Sequence, residues 1–173
     1  RHSEHHIYLK DWPSYHILQL SDLHIRSKDK WLETLCIHLQ GLKPDIIVLT
    51  GDLVTKNWTV EALEYFLEQL PPSKLGCFAI LGNWEYWVVS DHQEWRNTLE
   101  KYGVQLLVEE SVELEHLTIV GTDDHLSGNC DPQFLRSQLS DKPTLCLTHS
   151  PEVFPQLAHA PIDIVLAGHA HGG

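Results

Sequence analysis

The chain alternates short apolar runs with segments of helical periodicity. Six apolar runs predict strands, most of them too continuous to be half exposed, at residues 15–20, 45–50, 76–81, 117–121, 144–148 and 163–168. Between them, apolar positions three or four residues apart predict helices over 31–42, 60–70 and 91–103. This alternation predicts an α/β fold. Residues 109–121 are typical of a hairpin, which predicts mixed rather than purely parallel strand order.

Aspartate, histidine and asparagine side chains directly follow five of these strands. They are Asp22 and His24, Asp52, Asn83, His149, and the pair His169 and His171. Because α/β sheets bind ligands outside the carboxyl ends of their strands, we expect these side chains in one crevice. Each of the two doublets is expected to lie on an extended segment with both side chains on one side, since strand side chains alternate with a period of two. A doublet can then hold one metal ion or straddle two.

The types of side chain indicate a metal centre. Imidazole, carboxylate and amide groups without a thiolate favour divalent manganese, iron, zinc or cobalt. A carboxylate such as Asp52 can bridge two ions about 3.5–4 Å apart, an arrangement used in phosphoryl displacement. One Asp after a strand is more often a cap or turn residue. Seven such residues at the exits of separate strands favour the metal interpretation.

Taken in order, these residues resemble the motifs of the calcineurin-like metallophosphoesterases, and within them a bacterial branch of membrane- or wall-associated phosphohydrolases. The resemblance runs from about residue 15 to the end and is carried by Asp22-Leu23-His24, Gly51-Asp52, Gly82-Asn83, His149 and Gly168-His169-Ala170-His171. It implies a four-layer α-β-β-α sandwich with mixed sheets and the metal site at the carboxyl ends of the strands. It also implies a single domain over residues 1–173, with the first 14 residues peripheral.

The resemblance further implies which residues hold the ions. One ion would be held by Asp22, His24, Asp52 and His171, and the other by Asp52, Asn83, His149 and His169. Asp52 would bridge them, and a hydroxide between the ions would attack phosphorus. Two divalent ions are therefore the expected cofactors, with manganese first and iron, zinc or cobalt as alternatives.

One position departs from the family pattern. Trp84 stands where the family has a His that assists the leaving group, and indole cannot supply a proton by titration. Three interpretations stay open: the substrate has a good leaving group, such as a phosphoanhydride; His125 takes over as the acid; or the chain is a non-catalytic module that binds metal and phosphate. We favour the first two, because all seven predicted ligands are retained.

The remaining predicted site residues lie close to these in sequence. The predicted catalytic residues are Asp52, Asn83 and His125. The predicted substrate contacts are Asp124 together with Trp84 and Trp87, which either form an apolar wall for an acyl chain or base or serve only in packing.

Charge and composition narrow the expected partners. The formal net charge is −12, from 12 Lys and Arg against 24 Asp and Glu, which argues against long nucleic acids. Bound ions would offset that charge locally, so a small phosphorylated substrate is expected. The branch resemblance suggests a nucleotide- or lipid-linked one, such as UDP-diacylglucosamine in lipid A synthesis.

Length and the missing methionine bear on cellular location. The chain has 173 residues, starts at Arg1, has no Met and has no apolar run long enough to span a membrane. We expect it to be truncated at both ends. The resemblance implies a bacterial protein peripheral to, or anchored at, a membrane surface, and the sequence does not indicate an oligomeric state.

Overall fold

Two four-stranded sheets organise the protein. The structure is a computed structural model that describes residues 3–10, 12–138, 141–157 and 160–171. The first sheet is parallel throughout and contains, in spatial order, β1 (Ile17–Leu20), β2 (Ile46–Thr50), β3 (Cys77–Ile80) and β4 (Val104–Leu106). The second contains β5 (Glu110–Glu113), β6 (Thr118–Gly121), β7 (Thr144–Thr148) and β8 (Ile164–Ala167). Because β5 pairs antiparallel to β6 and the others are parallel, the predicted mixed order is confirmed.

Helices lie between the strands. They are α1 (Lys30–Leu39), α2 (Val60–Glu68), α3 (Asn83–Val88), α4 (His92–Lys101), α5 (Pro132–Ser137), a 3-10 turn (Pro151–Val153) and α6 (Phe154–Leu157). Side chains cap the three longest: Asp29 accepts from the Leu32 amide, Thr59 from the Ala62 amide, and Asp91 from the first turn of α4. These three helices match the periodic segments of the sequence.

The pattern did not predict α3, β4, α5 or α6. None exceeds six residues, so none is long enough to show a periodicity of its own.

Among the described residues, three clusters of buried side chains lie between four layers of secondary structure. In β2, Ile47 and Leu49 face α1, α2 and α4, whereas Ile46 and Val48 face the second sheet. The core between the sheets also contains Phe78, Ile80, Ile119, Leu145 and Leu147. On the far side of the second sheet, Val120 and Cys146 pack with residues of α5, the 3-10 turn and α6. The order is therefore helices, sheet, sheet, helices, which confirms the expected α-β-β-α sandwich.

Pairing register brings the carboxyl ends of neighbouring strands level. Leu20 at the end of β1 lies opposite Leu49, and Thr50 at the end of β2 lies opposite Ile80 at the end of β3. In the second sheet Thr148 lies opposite Ala167. The Gln19 amide donates both to the Thr50 hydroxyl and to the Ala167 carbonyl, each at 2.9 Å, so the two sheets are joined at this edge.

The first described residues lie at the outside of the sandwich. Residues 3–8 are exposed, whereas Trp12 and Tyr15 pack against the core between the sheets. None of the helices within the described ranges combines the length and apolar character needed to cross a bilayer.

Candidate metal centre

Six of the seven predicted ligands form two adjoining triads. Asp22, His24 and His171 each offer a ligand atom, and these atoms lie within 4.8 Å of one another. Asp52, His149 and His169 do the same. The triads adjoin at Asp52, whose Oδ2 lies 3.3 Å from His149 Nε2 and 4.0 Å from His24 Nε2.

The seventh residue, Asn83, belongs to the Asp52 triad. Its Oδ1 lies 3.2 Å from His149 Nε2 and 3.0 Å from His169 Nδ1. Asn83 is the first residue of α3 and is almost fully buried, so its side chain is held at the junction of β3 and the helix.

The spacing of the ligand atoms fits divalent ions. Two atoms that each lie about 2.0–2.2 Å from one ion are separated by about 3.0–3.5 Å. His24 Nε2 and His171 Nε2 are 3.4 Å apart on stacked rings, and His171 Nε2 is 3.7 Å from Asp22 Oδ1. Two imidazole nitrogens so close to each other and to carboxylates need a shared proton or cation. The donor set therefore suits a pair of divalent ions.

The backbone at these residues is in an unusual conformation. Positive φ angles occur at Asp22 (54°), His24 (49°), Asp52 (53°), His169 (63°) and His171 (50°). Such angles cost about 1–2 kcal/mol for a residue other than glycine, and they concentrate at functional sites.

This conformation corrects the predicted geometry of the two doublets. The expectation of an extended segment was wrong, because each doublet residue is left-handed and the strand ends just before it. As a result, Asp22 and His24 share one triad, but His169 and His171 are divided between the two.

Glycines let the turns approach each other. Gly51 has φ 85°, and a Cβ there would lie 2.6 Å from both the Gly82 amide nitrogen and His149 Nδ1. A Cβ at Gly82 would meet the Asp52 carboxylate, and one at Gly168 would meet the Ser21 hydroxyl. The glycine that precedes Asp52, Asn83 or His169 is therefore required by close packing.

Hydrogen bonds orient the ligand side chains. His149 Nδ1 donates to the Thr50 carbonyl at 2.8 Å, which leaves Nε2 directed at Asp52 and Asn83. The Asp22 carboxylate accepts from the Ser21 hydroxyl at 2.6 Å and from the His169 amide at 3.0 Å. Asp52 Oδ1 accepts from the Trp84 amide at 2.9 Å. His149 Nε2 and Asp52 Oδ2 take no part in these bonds, and each Asp22 oxygen keeps a further lone pair for an ion.

Burial and charge act differently on the two triads. Burial lowers the pKa of His24, and the Asp52 carboxylate opposes this only in part. Burial also disfavours the charged form of His149, but its hydrogen bonds to Asp52 and the Thr50 carbonyl outweigh burial and raise its pKa to about 9. His149 thus holds a proton against Asp52 when no cation is bound, and a cation at Nε2 takes the place of that proton.

Glu85, two residues after Asn83, has four backbone partners in the structure. Glu85 is fully buried and accepts hydrogen bonds from the backbone amides of Asp52, Leu53, Val54 and Gly82. Burial raises its pKa to about 7, against the amide donors, which lower it. A Glu three residues after a helix N-cap is a known signal for bonding to the cap amide, and it could have identified the Gly82 contact.

The predicted substrate residues lie at different places around this centre. Trp84 is partly buried, and its ring meets His24 edge to face at 5.7 Å. Trp87 is 63% exposed and its ring centroid lies 5.3 Å from that of Trp84. Both tryptophans therefore adjoin the triad that contains His24.

Asp124 and His125 are placed differently from the tryptophans. Asp124 is fully buried and accepts from the Ser150 hydroxyl at 2.6 Å and the Ser127 amide at 2.7 Å, so both of its oxygens have protein partners. Within the described ranges, His125 forms no hydrogen bond with the seven predicted ligands.

Comparison with known proteins was made for sequence and for structure. The family model of the calcineurin-like phosphoesterases matches residues 15–173. An uncharacterized metallophosphoesterase, YkoQ of Bacillus subtilis, is 33% identical over 165 residues, covering 91% of this chain and 61% of YkoQ. UDP-2,3-diacylglucosamine pyrophosphatase LpxG of Chlamydia trachomatis is 29% identical over 208 residues, covering 90% of this chain and 63% of LpxG. The chain thus spans about three fifths of the length of these relatives.

A solved structure has a similar fold. The crystal structure of TT1561 of Thermus thermophilus superposes with a TM-score of 0.62 at 17% identity, covering 88% of this chain and 80% of that one.

Proposed function

Because this chain belongs to the calcineurin-like phosphoesterase family, we propose that it is a metal-dependent hydrolase of phosphodiester or phosphoanhydride bonds. The observation that carries the proposal is the pair of triads that adjoin at Asp52. A structural metal site is normally closed, with four protein ligands around one ion. Two adjoining groups of ligands, one of them with the exposed His171, are better suited to a substrate that must reach the ions.

We assign the ligands to two ions. The first would be held by Asp22, His24, Asp52 and His171, and the second by Asp52, Asn83, His149 and His169. Asp52 would bridge them, and the position of its Oδ2 near a histidine of each triad supports this role. When bound, two divalent ions supply positive charge to a phosphoryl group and acidify water. Manganese is the ion we propose first, with iron, zinc and cobalt as alternatives that suit the same donors.

Trp84 and His125 bear on how the leaving group of the substrate could obtain a proton. Trp84 can donate only from its indole N–H and cannot transfer a proton to a leaving group. Within the described ranges, His125 forms no hydrogen bond with the seven predicted ligands, so no contact with them supports it as a replacement acid. We therefore propose a substrate whose leaving group departs without a proton, as a phosphoanhydride does when it releases a nucleoside monophosphate.

The surroundings of His24 support a proposal for the substrate class. Trp84 and Trp87 extend from this residue toward solvent and offer an apolar surface to a base or acyl chain. The name of the relative LpxG specifies a substrate with both a nucleotide and two acyl groups. We propose a small nucleotide- or lipid-linked substrate for this chain too, reached at a bacterial membrane surface.

Asp52→Asn tests the proposal, because the amide keeps the shape of the side chain but removes the bridging charge. Hydrolysis of a chromogenic phosphodiester and of UDP-diacylglucosamine with added manganese should fall by more than about 100-fold. Asp45→Asn is the matched control, since Asp45 lies just before β2, at the opposite end of that strand, and pairs with Lys74. Equal activity of Asp52→Asn and Asp45→Asn would contradict the proposal.

A second function, binding of metal and phosphate without catalysis, is favoured by Trp84 alone. It predicts that the native protein binds manganese and phosphate but hydrolyses none of these substrates above background. The variant Trp84→His separates the two functions through the dependence of hydrolysis on the leaving group.

A further inference from the structure

Glu85 connects two turns that the metal centre depends on. Its Oε2 accepts from the amides of Asp52 and Gly82, both at 2.8 Å. Its Oε1 accepts from Leu53 at 2.8 Å and Val54 at 3.3 Å. Three of these donors lie in the turn after β2, and the fourth lies in the turn after β3. One fully buried carboxylate therefore holds both turns.

The turn after β2 needs such an acceptor. Gly51 and Asp52 both have positive φ, and Asp52, Leu53 and Val54 are at most 2% exposed. Their amides point away from water, so without Glu85 they would be buried and unpaired. The conformation that presents Asp52 to the ions is held by these bonds rather than favoured by the chain itself.

Glu85 acts on a different side of α3 from Trp84. The Trp84 amide donates to Asp52 Oδ1 and its ring contacts His24, whereas the Glu85 carboxylate is fully used by backbone amides. An acidic side chain bonded in this way is not available to orient a side chain at position 84. This explains how Glu85 can remain while its neighbour is Trp.

We propose that Glu85 is a positioning residue that sets the separation of Asp52 and Asn83, and that it does so independently of residue 84. The inference rests on the proposed function in one respect, that Asp52 and Asn83 share the second ion. It predicts that Glu85 controls the affinity of that ion without touching the ion or the substrate.

Glu85→Gln is the sharpest probe. Glutamine has nearly the same shape, but one acceptor oxygen becomes an amide nitrogen that carries donors. That nitrogen would face backbone N–H groups, so two of the four amides lose their acceptor. Glu94→Gln is the matched control, because Glu94 occupies the equivalent third position of α4 and is exposed.

The experiment measures manganese binding by chelator competition and by electron paramagnetic resonance, without substrate. Glu85→Gln should lower the affinity for the second ion by about 10–100-fold and reduce the resonance signal of coupled ion pairs. Glu94→Gln should behave as the wild type. Excess manganese should restore much of the lost activity. The proposal would be overturned if Glu85→Gln bound manganese with the affinity of the wild type. It would also be overturned if the loss of bound ion only matched the unfolded fraction measured by circular dichroism.

Two further variants cover the remaining outcomes. If Glu85→Gln does not fold, Glu85→Asp keeps the charge but shortens the reach, and it should also weaken the second ion; wild-type affinity would overturn the proposal. Independence is tested by repeating Glu85→Gln in Trp84→His, where the same fold-change is expected. A change that differs by more than about threefold between the two backgrounds would overturn it.

Failure of this inference can be told apart from failure of the proposed function. If the wild-type protein binds no ion, both the proposed function and the positioning role are wrong. If Glu85→Gln lowers the affinity for the ion but the protein hydrolyses no substrate, the positioning role stands and only the proposed enzyme activity is wrong. If the protein binds ions and Glu85→Gln does not change their affinity, only the positioning role is wrong.

Discussion

At the scale of single residues, Trp84 bears on which leaving groups the proposed hydrolase accepts. It lies beside His24 and cannot supply a proton by titration, so under the proposed function the leaving group departs without a proton from this position. Trp84→His should therefore raise the hydrolysis of alkyl phosphodiesters, whose leaving groups are poor, by roughly 10–100-fold. For phosphoanhydrides and nitrophenyl esters we expect little change or a decrease. A series of leaving groups of increasing acidity measures the effect.

The control for this prediction is Trp87→His, which places an imidazole on the same helix where Trp87 is exposed. It should leave the dependence on the leaving group unchanged. An equal gain for all leaving groups, starting from background activity in the native protein, would instead support the non-catalytic binding module.

The residues that sequence predicts well are those that follow apolar runs. Asp52 and His149 are visible because a buried strand ends just before each of them, and level strand ends bring them together. Glu85 is not visible in this way, since its partners are backbone amides that occur at every position of the chain. Its role depends on which two turns meet, and this is a property of the folded chain alone.

At the scale of elements, the closeness of the turns after β2 and β3 is set by Gly51. An alanine Cβ there would lie 2.6 Å from the Gly82 nitrogen and from His149 Nδ1, in a backbone conformation that L-residues avoid. We expect Gly51→Ala to lower the free energy of unfolding by about 3 kcal/mol or more, as strain and overpacking combine. It should also weaken manganese binding.

Gly103→Ala separates these two causes. Gly103 has φ 75°, similar to the 85° of Gly51, but a Cβ there meets nothing within 4 Å. It should cost only the conformational part, about 1–2 kcal/mol, with manganese affinity unchanged. Urea unfolding of both variants measures the difference, and equal losses would show that contact between the turns is unimportant.

Length determines which elements the sequence reveals. The helices α1, α2 and α4 have nine or ten residues each, enough for an apolar face to recur. By contrast, α3 has six residues and carries Asn83, Trp84 and Glu85, so its sequence is shaped by the site rather than by a core-facing stripe. A periodic pattern is weakest where an element is short and functional.

At the scale of the whole molecule, the site is made by two sheets. Strands β1, β2 and β3 contribute four of the predicted ligands, and β7 and β8 of the other sheet contribute three. Apolar runs could predict the strands and their ends. They could not predict how the strands divide between two sheets, because the strands of each sheet are covered on both faces and their runs look alike. The layering came from the family resemblance.

Bound ions should therefore stabilise the contact between the sheets. Each triad combines side chains from both sheets, so an ion held by a triad would bind ligand atoms from both sheets. An ion present at about 100 times its Kd adds about 2.7 kcal/mol for each site. For a chain of this size, that corresponds to a rise in Tm of about 5–10 °C per site. Calorimetry of the chelated protein, before and after manganese is added, measures it.

Asp52→Asn is the control for this effect, because it removes a carboxylate that lies near a histidine of each triad. Its Tm without metal should be below that of the native protein, since the carboxylate that pairs with protonated His149 is lost, and manganese should raise it by less than half the native amount. Calcium, which prefers six to eight oxygen ligands, should raise the native Tm less than manganese does, because histidines dominate both triads. A native Tm that does not respond to manganese, iron, zinc or cobalt would contradict a metal centre shared between the two sheets.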